Sequence, residues 1–138
     1  MNKKMMRIII IFTAFSTVLS HAESNQVLPN AYEQCVEQTI DLLKLGNINN
    51  AVVESCSNKT KTVYAKQIVQ LLDKIKKQST EDQQPERYSD IMKSQQLWKN
   101  YIDQECHNAG AYIGSPMYEF CPMQKYAERV EQLKEYIQ

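Results

Sequence analysis

Four cysteines, Cys35, Cys56, Cys106 and Cys121, constrain this chain of 138 residues more than any other feature. Whether they act as thiols, metal ligands or crosslinks depends on the compartment, and the N-terminus speaks to that. "MNKKMMR" supplies three positive charges, "IIIIFTAFSTVL" is a largely apolar run of twelve, and "SHA" sets the small residues Ser20 and Ala22 around His21. A basic segment, an apolar segment and a small-residue site in that order read as a secretory signal peptide, with cleavage expected after Ala22. The apolar run is too short to span a bilayer, which takes ~20 residues. Residues 1–22 are therefore read as a leader and 23–138 as a single exported domain with no membrane span, bound for the periplasm. An even cysteine count in a small exported domain implies two disulfides. Four cysteines allow three pairings, and the count does not choose among them. Zinc would need close ligand pairs such as C-x2-C, and none is present. His107 is the sole histidine after the leader, so neither a metal nor a cofactor is expected.

Removing the leader changes the charge. The whole chain is balanced at 16 basic and 16 acidic residues, but Lys3, Lys4 and Arg7 lie in the leader, leaving 13 against 16. A net charge near −3 disfavours nucleic acid, which selects a basic stripe, and permits attraction to a cationic protein.

Apolar residues keep helical spacing throughout. Tyr32, Val36, Ile40 and Leu43 mark a first helix from about Asn30 to Leu45, stopped by Gly46 at its C′ position. Val52, Cys56, Val63, Ile68, Leu71, Leu72 and Ile75 mark a second, from about 51 to 77. Pro85 suits the first turn of a third helix, which runs to about His107 with Tyr88, Ile91, Met92, Gln95, Trp98, Tyr101, Ile102 and Cys106 on one face. "NAGAYIGSP" breaks it. Ser115 is expected to cap the next segment, with Pro116 at its first position, and Pro122 to set that turn apart from a last helix, about 123–136. No stretch alternates with a two-residue period, so the expected fold is all-α, a small disulfide-bonded bundle of about four helices with antiparallel neighbours.

Chemistry-bearing patterns are sparse. Nucleophilic catalysis needs a Ser or Cys beside a positioned base, and His107 comes directly after a cysteine expected to be oxidised. The acids, Glu81, Asp82, Glu128, Glu131 and Glu135 among them, fall on solvated helix faces, and no Gly-rich phosphate loop exists. The chain is not read as an enzyme. Trp98 is read as a core anchor, and an Asp103–Arg129 pair as a bridge between the third and last helices. The stretch between Cys106 and Cys121 holds Tyr112, Ile113, Met117, Tyr118 and Phe120. Of these, Tyr112, Ile113, Met117 and Tyr118 are the candidate partner-binding residues, because apolar side chains on a tethered loop are where binding groups often sit. The competing reading turns them inward to close the end of the bundle.

Gln95, Trp98, Tyr101, Asp103 and Cys106, then Gly114, Ser115 and Cys121, then Arg129 and Leu133, form an ordered series that resembles the LprI-like family of exported bacterial proteins, named for a lysozyme inhibitor. The likeness is best over residues 94–133 and looser over 56–77. Ser94, Ile102 and Tyr126 stand where the family pattern has Ala, Arg and Thr. The resemblance implies an all-α, disulfide-bonded, exported protein whose partner is another protein, foremost a lysozyme-type muramidase blocked by occlusion. A periplasmic immunity protein against a secreted effector toxin, or a structural adaptor of the envelope, are the alternatives. The expected pairing is Cys106–Cys121, with Cys35–Cys56 as the second bond.

Overall fold

The computed structural model describes residues 30–137, so the leader and its cleavage site lie outside the described residues. Four helices account for nearly all of this stretch: α1 (Asn30–Leu43), α2 (Asn50–Glu81), α3 (Pro85–Tyr112) and α4 (Met117–Lys134). There is no strand among the described residues. α2 starts cleanly because the Asn49 side chain accepts a hydrogen bond from the Val52 amide at 3.0 Å, using one of the amides that the first turn cannot pair internally.

The stops between helices depart from the glycine rule. Lys44, not Gly46, is the left-handed residue after α1, with φ 52°. The Leu45 amide donates to the Ile40 carbonyl at 3.0 Å and the Lys44 amide to Asp41 at 3.3 Å, the paired bonds of a Schellman stop. Leu45, whose side chain packs on the core, fixes where the chain must reverse, and the left-handed site falls one residue before it. The same geometry ends α2: Gln83 has φ 57° and the Gln84 amide donates to the Ser79 carbonyl at 2.8 Å. Pro85 then opens α3 as expected.

Two apolar clusters hold the bundle. Ile68, Leu71 and Ile75 of α2 meet Ile91 of α3 and Val130 and Leu133 of α4. Val52 and Cys56 of α2 meet Tyr32 of α1 and Met123 of α4. The pairing of early with early and late with late residues means that α2 and α4 run in the same direction and pack directly on each other, with α3 antiparallel to both. α1 lies against the first half of α2. Both expected disulfides are present. Cys35–Cys56 staples α1 to α2, and Cys106–Cys121 joins the end of α3 to the start of α4. Closing loops of 21 and 15 residues stabilises the fold by about 3 kcal/mol each in the chain-entropy account. Both staples lie at the same end of the bundle. The other end is closed by packing and by Arg87, which pairs with Asp82 and donates to the Tyr136 carbonyl.

Several expectations are corrected. α3 continues five residues past His107, because Ala109 and Ala111 are strong helix formers, a single Gly110 costs only about 1 kcal/mol, and the turn waits for Gly114, whose φ is +156°. Pro122 does not separate a turn from the last helix. It lies inside α4, which begins at Met117. Ser115 contributes to that start through its carbonyl, which accepts from the Tyr118 amide at 3.1 Å, and its hydroxyl makes no cap bond. Leu43, Val63, Met92 and Tyr101, placed on inward faces by spacing, are exposed, since a helix face stays covered only where a partner lies along it.

Candidate functional site

The motif residues of α3 and α4 come together in a clamp. The disulfide at Cys106–Cys121 fixes the antiparallel register, which brings Arg129 opposite Trp98. Arg129 is 6 % exposed. Its Nε donates to Gln95 Oε1 at 2.8 Å, and its terminal nitrogens donate to Ser94 Oγ at 3.3 Å and Gln132 Oε1 at 3.2 Å. The guanidinium lies 5.6 Å from the centre of the Trp98 ring, and Trp98 meets Tyr126 at 5.2 Å. Burial pushes the Arg129 pKa down, although Arg stays charged at any ordinary pH. Neutral oxygens and a ring face thus carry this cation.

The Asp103–Arg129 pair is not made. Asp103 lies two turns, roughly 12 Å, beyond Gln95 along α3, out of reach of Arg129. It takes Lys99 instead. Burial draws the Lys99 pKa down, but hydrogen bonds to Asp103 and Tyr126 and the charge of both outweigh it, so the net shift is upward. Gln95, Trp98 and Arg129 are therefore a structural unit, with Leu133 in the adjacent core. Trp98 is half-buried at the core edge, and Tyr101, Asp103 and Ser115 face solvent.

The four candidate partner-binding residues divide. Tyr112 and Ile113 are 86 % and 76 % exposed at the tip between α3 and α4. Tyr118 turns back: its ring lies over Gly110, where an added Cβ would stand 2.3 Å from the ring, and 6.0 Å from the His107 ring. Met117 turns the other way, into a groove of about 610 Å³ between α1, the start of α2 and the start of α4. Tyr32, Val36, Ile48, Val53, Pro116 and Phe120 also line it, with Glu33 and Glu37 on the α1 side. The Tyr32 and Phe120 rings meet edge to face at 5.4 Å, and burial pushes the Tyr32 hydroxyl pKa up.

The groove was not foreseen from the sequence. Glu33, Glu37 and Asp41 recur every four residues on α1, so they share a face, and no cation accompanies them within the helix. That pattern was the available signal. Among the described residues, no group of three or more His, Cys, Asp or Glu could hold a metal ion. No helix is long and apolar enough to cross a membrane there.

Residues 45–133 match the family model described as lysozyme inhibitor LprI. The chain belongs to the lysozyme inhibitor LprI family. The match takes in the whole of α2 and α3 and nearly all of α4, more than the stretch from 94 to 133 that the motif residues alone mark out. The clamp and the tip lie within the LprI segment, and α1 precedes it. No curated protein and no solved structure matches the chain.

Proposed function

We propose that this protein binds a lysozyme-type muramidase outside the cytoplasm and blocks it by covering its cleft. The observation that carries the reading is the LprI match, which spans three of the four helices of the bundle, α2 to α4. The geometry supports it. Tyr112, the last residue of α3, and Ile113, the first of a four-residue turn, 113–116, project from a tip held between two helices by the Cys106–Cys121 bond. A tip constrained in this way loses little entropy on docking, and aromatic side chains are enriched at interface centres. Two disulfides suit an oxidising compartment, and the leader read from residues 1–22 directs the chain to the periplasm.

The test is a turbidity assay of peptidoglycan lysis by a cationic lysozyme, with the full oxidised chain added in increasing amounts. Inhibition is expected, and the Tyr112→Ser/Ile113→Ser double variant is expected to weaken it 10- to 100-fold, about 1.4–2.8 kcal/mol. Its melting temperature should stay at the parent value, because neither side chain is buried. Tyr118 is left intact because it packs on Gly110. Absence of inhibition by the parent chain would defeat the proposal, and undiminished inhibition by the double variant would move the contact away from the tip.

A further inference from the structure

We infer that the groove between α1 and the start of α4 is a receptor for an apolar side chain that the partner presents between basic residues. This deepens the proposed function, on which it rests, by naming the chemistry that the groove selects.

Charge is the first argument. From Asn30 to Asn58 the chain has four acids, Glu33, Glu37, Asp41 and Glu54, against one cation, Lys44. From Lys59 to the end it has 12 basic residues against 11 acidic. The acidic excess of the chain beyond its leader is thus concentrated beside the groove. Glu33 and Glu37 line it directly, and Asp41 continues their row one turn on. All three are exposed, and none is ion-paired among the described residues. Like charges four apart weaken a helix by a few tenths of a kcal/mol per pair; Glu33 gains from the helix N-terminus, but α1 carries no cation to neutralise the row. A cation brought by a partner would offset it.

Shape is the second. The floor is aromatic and aliphatic, and its volume lies in the range of pre-formed ligand sites, roughly 300–1,000 Å³. Each wall is anchored next to a staple. Val36 is adjacent to Cys35, bonded to Cys56, and Phe120 precedes Cys121, bonded to Cys106. One bond ties the α1 wall to α2 and the other ties the α4 wall to α3, which limits how far either wall can move when a side chain enters. Pro116 and Met117 link it to the exposed tip, so one partner can touch both. Its α1 wall lies before the segment that matches the LprI family, so partner preference can be set there separately from the shared bundle.

The experiment is an amide NMR titration of the full chain, expressed for export with its disulfides intact. The probes are three blocked tetrapeptides: Arg-Leu-Leu-Arg, Glu-Leu-Leu-Glu and Arg-Ser-Ser-Arg. Only the first should shift the amides of Tyr32–Glu37 and Met117–Phe120. Glu33→Lys/Glu37→Lys should weaken that peptide at least tenfold at low salt and bring in the acidic one, with a smaller effect as salt rises. Equal binding of the acidic peptide, or shifts confined to other faces, overturns the inference. So does a gain in affinity on Val27→Asp/Leu28→Asp, which would make the chain's own preceding segment the occupant. A dilution-dependent mass with groove shifts would make it a second copy. The same charge-reversed variant enters the lysis assay. If the peptide binds as expected but the parent chain does not inhibit lysozyme, the proposed function fails and the groove assignment stands. If the parent and the reversed variant inhibit equally and no peptide binds, the groove assignment fails and the proposed function stands.

Discussion

Substituting Gly110 by Ala sets two effects of known size against each other. In an exposed helix interior the change would stabilise by about 0.5–1 kcal/mol, since Ala loses less backbone freedom on folding. Here an added Cβ would lie 2.3 Å from Cδ1, 2.4 Å from Cε1 and 2.5 Å from Cγ of Tyr118. Cγ is fixed by the Tyr118 backbone and χ1, so turning the ring about its own axis brings no relief. The whole side chain must swing outward, where it is already 45 % exposed, and its packing on α3 is lost. Overpacking of this kind costs about 1–3 kcal/mol. The expected net effect of Gly110→Ala is a destabilisation of about 1 kcal/mol. In a Tyr118→Ala background the obstruction is gone and only the helix gain remains, so the same substitution should stabilise by about 0.5–1 kcal/mol. The reversal of sign, a coupling of roughly 2 kcal/mol, is the signature. Urea unfolding monitored by the fluorescence of Trp98, the sole tryptophan, measures all four proteins. Stabilisation by Gly110→Ala in both backgrounds would refute the claim that the glycine is there to admit the Tyr118 ring.

Lys44→Gly and Gln83→Gly should each stabilise by about 0.5–1 kcal/mol, because both sites are left-handed and both residues carry a Cβ; thermal melts of the single variants check this. The Ser79 hydroxyl is buried without a hydrogen-bond partner among the described residues, so Ser79→Ala should stabilise by about 1 kcal/mol in urea unfolding. Stability should also fall in alkali. Burial raises the Tyr32 and Tyr64 pKa values, with Glu131 adding to the rise at Tyr64. The folded state then holds these protons more tightly than the unfolded chain, whose tyrosines titrate near 10.0. The stability they contribute is complete below pH 10 and is lost as pH rises through the folded values. Tyr32→Phe should flatten that decline in a series of melts between pH 8 and 11.

The helices and the number of disulfides could be read from the sequence because they rest on local periodicity and on a cysteine count; the count left three pairings open, and the expected one came with the family resemblance. Gln95, Trp98 and Arg129 could be picked out as a series, but not their contact, since it depends on the register that one disulfide imposes across two helices. Asp103 shows the resulting error: spacing put it on a plausible flank, and the register put it two turns past Gln95, the side chain that Arg129 reaches instead. Helix ends failed for a related reason. Gly46 and Ser115 have the right chemistry for a stop and a cap, yet Leu45 packs on the core and draws the left-handed residue back to Lys44, and the cap position of α4 falls one residue later, on Pro116. The groove was hidden because its lining comes from three separated segments. Only the acidic row on α1 was visible along the chain.

Both staples at one end of the bundle imply a division of labour over mutational time. At the far end, Ile75, Val130 and Leu133 hold the helices through close fit, so few substitutions there are neutral. At the stapled end Tyr32, Val52 and Met123 are packed closely too, but two disulfides hold the helices together besides, so exposed residues there are freer to change. Glu33, Glu37, Tyr112 and Ile113 can therefore vary at little cost to folding. A lineage facing a changing adversary could redraw this end of the molecule repeatedly while inheriting the other almost unchanged.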